Sequence, residues 1–445
     1  MPLPRYKIIV DDLAGRIRSG ELGAGTRLPT HRELAAREHI AVVTATRVYA
    51  ELEAAGLVSR EQGRGTFVRD LALPQSHGID QQAVADDIID LNFNYPALPE
   101  QADLLRQALR EIASSGDLDA LLRYQPHAGR PGDRAVIARH LKQRGIPAHP
   151  DQLLVVNGAQ HGLTVALMAT LNPGDILAVD ALTYPGIKVL AQALRLELLS
   201  VPASARGTDL DALDAACAAR PVRAIYTMPT LHNPLGAVLD EADRGRLAAI
   251  ASRHGQIVIE DASYAYLVDA PPPPVAALAP DLTIYVSGLS KSIATGLRVG
   301  FLTASAALVP ALERAIRATT WNTPALTVNI ACRWLTDGTA DHLETRKRAD
   351  ATRRQSVARE VFHGLPYLSH PNSYFTWLPL PDDARADRIA ASLADQRISV
   401  STAEPFATSS HVPQAIRVAL GSADLHNLRT TLCAVAHAIH LDATR

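Results

Sequence analysis

The sequence predicts an α/β protein in which a mainly parallel sheet is wrapped by helices, with a small helical domain before it and a small α+β domain after it. Three observations predict this class. Strand and helix patterns alternate through residue 305, as in sheets whose parallel strands are joined by helices. Residues 1–70 have the pattern of three helices and a β-hairpin. After Thr320 the chain is rich in helix patterns and then gives several short strands.

Composition divides the 445 residues into three parts. Residues 1–70 form the first domain, and residues 71–88, which are rich in polar residues, form a linker. Residues 89–445 form the second unit, with a large part at about 125–320 and a small part at about 321–445. A chain of this length is expected to contain two or three domains.

Helix start and stop signals in the first domain follow the order of a winged helix-turn-helix. An apolar pattern with a helical period covers residues 7–20 and ends at Gly20. Thr30, with Glu33 three residues later, is a capping box for a second helix, and a third helix ends at Gly56. Two short strands then flank the glycine-containing turn at residues 63–65. A domain of this kind places its recognition helix in the major groove of DNA.

The segments GTRLPTHRELA, TRVYAELEAAGLV and GRGTFV resemble the GntR class of bacterial regulators. The resemblance implies that the third helix meets base edges of double-stranded operator DNA, whereas the second helix and the wing contact phosphates or the minor groove. The residues so placed are Thr44, Thr46 and Arg47 on the third helix, Arg32 on the second and Arg64 in the wing. Ala41 and Val42 stand where many relatives have Ser-Arg, so direct base contacts would depend on the threonines. A helical dimerisation arm is the alternative for this region, and the wing signature argues against it.

The first domain is only weakly basic. Eleven Lys or Arg against nine Asp or Glu leave a net charge of about +2. Neutralised phosphates supply much of the affinity for DNA. We therefore expect a homodimer that presents two such domains to two half-sites.

Residues 256–301 place a set of reactive side chains at the ends of two predicted strands, 257–259 and 282–286. The first strand is followed by Asp261 and Tyr264, and the second by Lys291 and Arg298. A phosphorylated pyridine aldehyde needs these groups: a lysine for a Schiff base, a carboxylate for the pyridinium nitrogen and an arginine for the phosphate. The ordered set is far more specific than any of its members, because a lone surface lysine or arginine is usually only solvated.

At this point the chain resembles the fold-type-I, pyridoxal-phosphate-dependent aminotransferases over roughly residues 89–445, through the motifs VVNGAQHGL, DALTYPG, YTMPTLHNPLG and RYQPHAG. The resemblance implies pyridoxal 5'-phosphate as the cofactor, bound through a Schiff base to Lys291. A glycine turn opening a helix suits a phosphate, because backbone N–H groups point at it there. The implied cofactor contacts are Gly158, Ala159 and Gln160 at the phosphate, Tyr184 on the ring face, Asn233 and Tyr264 at the phenolic oxygen, and Tyr124 at the phosphate across a dimer interface.

Two further details concern the same unit. In PQAIRVALG, Arg417 stands where the family has the arginine that grips a substrate carboxylate, a task suited to its bidentate geometry. A salt bridge that ties down the small domain is the alternative role. Gly288 stands where relatives commonly have a phosphate-binding Ser or Thr, and Ser287 and Ser290 on either side of it are the candidate replacements. Leu235 and Thr295 also depart from the family's usual residues.

A GntR-like domain joined to an aminotransferase-like unit resembles the MocR subfamily. The resemblance implies a DNA-binding transcriptional regulator that senses an amino acid, an amine or pyridoxal phosphate itself. An active aminotransferase with an accessory DNA-binding domain is the alternative, and the sequence leaves transaminase activity open.

The remaining composition excludes several other classes. The net charge of −2 argues against a polybasic or membrane-surface protein. No apolar run reaches the length of a membrane span, and MPLPRYK is not a signal peptide. The three cysteines and sixteen histidines show no metal-ligand spacing, so we expect no metal site. These features favour a cytoplasmic protein.

Overall fold

The computed structural model describes residues 5–23, 25–54, 56–61, 64–69, 88–146, 148–204, 206–381, 383–409 and 412–444. Of the predicted linker at residues 71–88, all but the last residue lies outside these ranges, as does Gly63 of the predicted wing turn. Helices and strands are numbered below in chain order.

The N-terminal domain is a winged helix-turn-helix. Its apolar side chains form a core of their own, in which Leu34, Val48 and Leu52 are fully or almost fully buried. Thr30 and Glu33 form the predicted capping box at the start of the second helix. The elements are α1 (Arg5–Arg18), β1 (Arg27–Leu28), α2 (His31–Glu38), α3 (Val42–Ala54), β2 (Val58–Glu61) and β3 (Gly65–Val68).

Strand β1 was not predicted. It is only two residues long and pairs antiparallel with β3, so that the wing is a three-stranded sheet in the order β1-β3-β2. A strand of two residues is too short to show the alternation of apolar and polar residues by which strands are recognised in a sequence. Its pairing partners lie about 40 positions further along the chain.

The next part of the chain alternates strands and helices as predicted. Its elements are β4 (Ile89–Asp90), α4 (Gln101–Ser115), α5 (Leu118–Leu121), α6 (Pro131–Gln143), β5 (Leu153–Val156), α7 (Gly158–Thr170), β6 (Ile176–Asp180), α8 (Pro185–Ala193), β7 (Glu197–Val201), β8 (Ala203–Ser204), β9 (Gly207–Thr208), α9 (Leu210–Ala219), β10 (Val222–Thr227), α10 (Glu241–His254), β11 (Ile257–Asp261), α11 (Val275–Leu278), β12 (Thr283–Gly288), α12 (Leu289–Ser292), β13 (Gly300–Thr303), α13 (Val309–Thr319) and α14 (Ala325–Thr336).

Seven of these strands form one sheet in the order β5-β13-β12-β11-β10-β6-β7. Only β13 runs antiparallel to its neighbours, so the sheet is mainly parallel, as predicted. Helices α7 and α13 cover one face, and α4, α6 and α14 contribute to the core on the other. The apolar runs of β5 and β6 are buried throughout because both faces are covered. The carboxyl ends of parallel strands meet at one edge, where α/β proteins bind their ligands.

The C-terminal part contains α15 (Thr339–Val361), β14 (Phe375–Pro379), α16 (Ala386–Asp395), β15 (Ile398–Ser399), β16 (Ser401–Thr402), β17 (Ala415–Ala419) and α17 (Leu425–Ala443). Strands β14, β17 and β16 form an antiparallel sheet against α15, α16 and α17. Strand β4 also joins this domain, because Ile89 pairs with Ile398 and Leu91 is buried in its core. Residues 88–95 therefore connect the small domain to the start of the large one. No helix in the described ranges combines the length and apolar character needed to cross a membrane.

Candidate cofactor site and DNA-binding surface

The turn between β5 and α7 forms an anion cradle. The first backbone N–H groups of a helix have no intrahelical acceptor, so those of Gly158, Ala159 and Gln160 are free to bind an anion. Arg298 lies against this turn, with Nη2 3.4 Å from the carbonyl oxygen of Asn157 and Nη1 3.2 Å from Oγ of Ser290. The cradle therefore combines helix N–H groups, a guanidinium and a hydroxyl, which is the donor set that a phosphate requires.

Glycines keep the cradle open. Gly158 has a φ of 79°, and a Cβ there would lie 2.8 Å from Nη2 of Arg298. A Cβ on Gly300 would lie 2.6 Å from the carbonyl carbon of Gly158, and one on Gly288 would lie 3.1 Å from the amide nitrogen of Ala159. This close approach gives a physical reason for Gly288, where relatives commonly have a hydroxyl residue.

Ser287 is not brought to this cradle. Its hydroxyl donates to the carbonyl of Ala262 at 3.2 Å, and its side chain borders a different cavity together with Tyr285. The reason is the alternation of side chains along β12, because Val286 takes the face that packs against α7. Of the two predicted serines, only Ser290 contacts Arg298.

Lys291 lies in the short helix α12, directly after β12. Its Nζ donates a hydrogen bond of 2.7 Å to the carbonyl of Asn94 and forms no ion pair with any residue that the structure describes. Burial, followed by the positive charges of Arg417 and Arg298, lowers the pKa of Lys291 to about 8. A larger fraction of this amine is therefore neutral near pH 7 than for an ordinary lysine, and the neutral amine is the nucleophile.

Asp261 ends β11 as a buried carboxylate with three donors. Its Oδ2 accepts from the hydroxyl of Tyr226 at 3.0 Å, and its Oδ1 accepts from Ser263 through the backbone N–H at 3.0 Å and the hydroxyl at 2.6 Å. Burial raises the pKa of Asp261, and the bonds from Ser263 and Tyr226 act in the opposite direction. The hydrogen bonds favour the ionised form that a pyridinium nitrogen needs as its partner.

Two of the predicted ring contacts, Tyr184 and Tyr264, lie close enough to this carboxylate to interact with it electrostatically. The hydroxyl of Tyr184 donates to Oε1 of Gln160 at 3.0 Å, which ties the ring to the first turn of α7. Asn233 is buried, and its Oδ1 has no hydrogen-bond partner within the described structure. Tyr264 is also buried and meets Phe375 edge to face at 5.3 Å between ring centroids. The cradle, the amine of Lys291 and the buried amide of Asn233, whose NH2 group can donate to a phenolic oxygen, fit a phosphorylated pyridine aldehyde.

Arg417 lies on β17 in the small domain and is buried. It donates through Nη1 to the carbonyl of Asn92, and its Nε has no hydrogen-bond partner in the part of the chain that the structure describes. No described carboxylate lies within ion-pair distance of it, although the charge of Asp90 on β4 acts on it electrostatically. The rings of Phe375 and Phe406 flank the guanidinium at 5.3 and 5.7 Å. This arrangement leaves a donor for a carboxylate between two aromatic rings.

Tyr124 is 86% exposed and lies 5.9 Å from the ring of Trp321, which is itself 47% exposed. Leu122, close by in sequence, is 86% exposed. A tyrosine held at the surface among apolar side chains has the exposure required to reach a second copy of the chain.

The side chains of the DNA-binding candidates differ in their exposure and in whether they already form hydrogen bonds within the domain. Arg32 is exposed, whereas Arg64 and Thr44 are partly buried. The hydroxyl of Thr46 donates to the carbonyl of Val42 at 3.0 Å and lies 3.1 Å from Nδ1 of His31.

Arg47 is also engaged within the domain. It donates to the hydroxyl of Tyr6 at 2.9 Å and lies over that ring. Val43, at the start of α3, is 81% exposed. This exposed apolar side chain lies next to Val42, the position at which many relatives have an arginine, and it is accessible for apolar contact with DNA bases.

The N-terminal domain contacts the small domain of the same chain. Arg69 forms an ion pair with Glu404, and the guanidinium of Arg385 lies 4.0 Å from the ring centroid of Phe67. Glu404 belongs to residues 403–408, which we call the bridging segment. This segment reaches the cofactor site as well, because Phe406 flanks Arg417.

The large domain holds the bridging segment in place. Nζ of Lys188 donates to the carbonyls of Glu404 and Pro405 at 3.1 and 2.8 Å, and the amide of Thr183 donates to the carbonyl of Phe406 at 2.9 Å. The segment thus touches all three parts of the molecule. Among the described residues, no group of three or more His, Cys, Asp or Glu side chains is placed to hold a metal ion.

Comparison with known proteins agrees with this geometry. The family model for aminotransferase class I and II matches residues 86–432, and the model for bacterial regulatory proteins of the gntR family matches residues 5–68. The chain belongs to the class I and II aminotransferase family. A GntR-type DNA-binding domain is fused to its N-terminal side, a combination that agrees with the predicted resemblance to the MocR subfamily.

Relatives of both kinds are similar to this chain. The HTH-type transcriptional regulator YdeF of Bacillus subtilis (strain 168), described as uncharacterized, is 28% identical over 94% of this chain and 90% of its own length. The 2-aminoadipate transaminase of Thermus thermophilus is 26% identical over 74% of this chain and 84% of its own length. The crystal structure of the α-aminoadipate aminotransferase LysN from Thermus thermophilus, complexed with N-(5'-phosphopyridoxyl)-L-leucine, superposes with a TM-score of 0.75. That similarity is 23% in identity, covers 83% of this chain and 96% of the other, and shows the same fold.

Several residues at the site were not found from the sequence. They are Asn94, Tyr226, Ser263, Lys188, Glu404 and Phe406. Tyr226 was the one with a usable signal, because it lies within the YTMPTLHNPLG motif on a strand next to the one that ends at Asp261. Ser263 lies only two residues after Asp261, and the other four depend on contacts between segments far apart in sequence.

Proposed function

We propose that the chain is a transcriptional regulator that binds pyridoxal 5'-phosphate through Lys291 and changes its DNA binding when an amino acid or amine enters the site. One observation is decisive for this proposal. The bridging segment contacts the flank of Arg417 through Phe406 and the DNA-binding domain through Glu404 and Arg69. A change at the cofactor site therefore has a direct physical route to the DNA-binding domain.

The proposed cofactor contacts follow from the geometry. The N–H groups that open α7, together with Arg298 and Ser290, would hold the phosphate, and Asp261 would hold the pyridine nitrogen. Asn233 would donate its buried amide NH2 to the phenolic oxygen. When bound, pyridoxal phosphate supplies an aldehyde that condenses with the amine of Lys291 and a ring that withdraws electrons. The protein's part is to bind, orient and exclude water.

Arg417 supports an effector that has a carboxylate. Its buried Nε lacks a partner among the described residues, and leaving such a donor without an acceptor is unfavourable. A carboxylate entering beside Phe375 and Phe406 would provide that acceptor through a charge-assisted hydrogen bond. An α-amino acid meets both requirements, because its amine reacts at the cofactor while its carboxylate binds Arg417.

A homodimer would complete the regulator. The exposed rings of Tyr124 and Trp321 lie 5.9 Å apart and form a surface whose proposed occupant is a second copy of the chain. Two copies would present two winged domains to two half-sites of double-stranded operator DNA. They would also offset the weak net charge of about +2 on each DNA-binding domain, since that charge comes from eleven basic and nine acidic residues.

An active aminotransferase is the second candidate. The specific observation in its favour is the completeness of the site, since Lys291, Asp261 and Arg298 are all present and oriented by hydrogen bonds. The similarity to a 2-aminoadipate transaminase points the same way. A third possibility within regulation is that pyridoxal phosphate itself is the signal.

The test combines DNA binding with turnover. A DNA ligand is first selected from a random duplex pool with the full-length protein, and its affinity is measured with and without pyridoxal phosphate and a panel of amino acids. Keto acid formation is measured on the same samples. The regulator is supported if an amino acid changes DNA affinity in the wild type and not in Lys291→Ala. Sustained keto acid turnover with no effect on DNA affinity would favour the enzyme, and an effect of pyridoxal phosphate alone would favour the third possibility.

A further inference from the structure

Lys347 lies on α15, in the first half of the helix, and its side chain is fully buried, with 0% exposure. Its Nζ donates hydrogen bonds of 3.0 Å to the carbonyl of Lys291 and 2.8 Å to the carbonyl of Ile293. A fully buried lysine is rare, because burying an ammonium is costly unless it is well hydrogen-bonded. Its two acceptors are the backbone of the turn that presents Lys291.

That turn needs outside donors. Helix α12 is a single turn of four residues, and the last carbonyls of any helix have no intrahelical partner. The carbonyl of Lys291 accepts a second hydrogen bond from the hydroxyl of Tyr266 at 2.9 Å, and the carbonyl of Ile293 also accepts from Gln101. Lys347 is the one side chain of these three that donates to both carbonyls, so it fixes the path of the chain across residues 291–293.

The backbone of α15 at Lys347 is itself held in place by a hydrogen bond from outside the helix. The hydroxyl of Tyr374 donates to the carbonyl of Lys347 at 2.9 Å. Lys347 forms no ion pair with a described carboxylate, because Glu344 pairs with Arg144 and Asp350 pairs with Arg354. Burial, then the positive charge of Lys291, lowers the pKa of Lys347 to about 7. An amine donates to two carbonyls in either protonation state, so the clamp does not depend on that charge.

We propose that Lys347 is a positioning residue for Lys291: it clamps the backbone of residues 291 and 293 and thereby directs the Lys291 amine toward the cofactor site. The inference rests on the proposed function, in which Lys291 is the amine that reacts with the cofactor. Misplacement by about 1 Å of a reacting group can cost roughly a hundredfold in rate. Loss of Lys347 should therefore slow the reaction at Lys291 far more than it weakens binding of the phosphate.

The experiment compares Lys347→Met with the wild type by two measurements. The first is the rate at which pyridoxal phosphate becomes linked to Lys291 in a form that borohydride fixes, followed by peptide mass spectrometry. The second is the affinity for pyridoxamine phosphate, which has the same phosphate and ring but no aldehyde. We expect the first to fall by about tenfold or more, in keeping with the cost of misplacement, and the second to stay within about twofold. Tyr266→Phe, which removes the other donor to the same carbonyl, should show a smaller effect in the same direction.

Arg354→Met is the matched control, because Arg354 is also buried on α15 and donates to two backbone carbonyls, but those of Leu420 and Ala423 in the small domain. It should leave the linkage rate at Lys291 unchanged. An unchanged linkage rate in Lys347→Met would overturn the proposal, and so would a parallel fall of linkage rate and pyridoxamine phosphate affinity, which would make Lys347 merely structural. If Lys347→Met does not fold, the same two measurements are made on Tyr266→Phe. A fall in linkage rate without a matching fall in pyridoxamine phosphate affinity is again the expected result.

Failure of the proposed function would look different. In that case the wild type itself would take up no pyridoxal phosphate. The clamp is then tested in the protein without cofactor, by the rate at which acetic anhydride acetylates Lys291 between about pH 6.5 and 9.5. A rate profile of Lys347→Met that coincides with that of the wild type would overturn the clamp on its own.

Discussion

The hydroxyl of Tyr226 on β10 donates a 3.0 Å hydrogen bond to Oδ2 of Asp261 on the neighbouring strand β11. Both oxygens of this buried carboxylate are thus engaged, since Ser263 donates to Oδ1. Burial raises the pKa of this carboxyl, and the hydrogen bonds from Ser263 and Tyr226 oppose that rise. In the proposed function they favour the ionised form opposite a pyridine nitrogen. Tyr226 and Asp261 act as one unit, and this can be tested.

Tyr226→Phe should weaken the electron-withdrawing state of the bound cofactor while leaving its affinity nearly unchanged. A hydrogen bond to a charged group contributes roughly 1.5–3 kcal/mol. We therefore expect the conversion of bound pyridoxal phosphate to its amine form by an added amino acid to slow by about tenfold, and Asp261→Ala to slow it more. Tyr285→Phe, a buried tyrosine on β12 in a different apolar cluster, serves as the control. A wild-type rate in Tyr226→Phe would contradict this role.

Arg417→Lys should keep the positive charge but lose the planar fork that grips a carboxylate. Response to an amino acid should then weaken by about ten- to a hundredfold, the equivalent of roughly 1.5–3 kcal/mol, while pyridoxal phosphate stays bound. The measurement is a titration of the cofactor spectrum with amino acids and with the matching decarboxylated amines. If the simple amines perturb the wild type as strongly as the amino acids do, Arg417 does not bind the effector's carboxylate.

Arg32→Ala should weaken DNA binding and make its dependence on salt shallower. Arg32 is exposed near the start of α2. A residue that neutralises one phosphate contributes about one unit to the slope of log affinity against log salt. Arg110→Ala, an exposed arginine on α4, is the control and should leave the slope as it is. A slope unchanged in Arg32→Ala would mean that this side chain contacts no phosphate.

The ion pair between Arg69 and Glu404 predicts a charge-reversal pattern. Their side chains are 21% and 49% exposed, and an exposed pair contributes only about 0–1 kcal/mol to stability, so Arg69→Glu and Glu404→Arg should both fold normally. Each single reversal should reduce the effect of an amino acid on DNA affinity, and the double reversal should restore it. Coupling that survives both single reversals would show that the bridging segment is not the route.

The pKa of Lys291 predicts how cofactor capture depends on pH. The neutral amine reacts, and the pKa is lowered to about 8 by burial, then by Arg417 and Arg298. The rate of capture should therefore rise with pH up to about 8 and level off above it. Arg417→Met removes one of the positive charges, which raises the pKa of Lys291, so the midpoint should move to higher pH. A midpoint that stays in place would argue against this electrostatic contribution.

Apolar runs and turn signals in the sequence are enough to predict the functional residues that lie just after the end of a strand or at the start of a helix. Lys291, Asp261 and Gly158 each come directly after an apolar run or a turn, so their placement depends on a few neighbouring residues. The residues that orient Lys291 are distant in the chain: the carbonyl of Asn94 accepts from its amine across 197 positions, and Lys347 donates to its carbonyl across 56. No periodicity encodes such contacts, because they arise only when the small domain closes on the large one.

The alternation of side chains along β12 explains why Ser287, a candidate from the sequence, does not lie at the cradle. Two serines flanking a glycine look equivalent in a string of letters, yet one belongs to an extended strand and the other to the helical turn after it. A change of backbone conformation between them sends their hydroxyls in different directions, one to Ala262 and one to Arg298. Such a junction is visible only once the end of β12 is known.

The glycines that line the anion cradle can be replaced by alanine one at a time, which gives alleles of different severity for genetics. A methyl group at Gly158 would lie 2.8 Å from Nη2 of Arg298 and would displace the guanidinium from the cradle, whereas one at Gly288 would come no closer than 3.1 Å to backbone. Neither change touches the amine of Lys291 or the winged domain. A cell with the Gly158→Ala allele would therefore contain a regulator that is blind to the cofactor yet still recognises its operator. Comparing the transcripts of such a strain with those of a deletion strain would separate genes that respond to the ligand from genes that respond only to occupancy of the DNA.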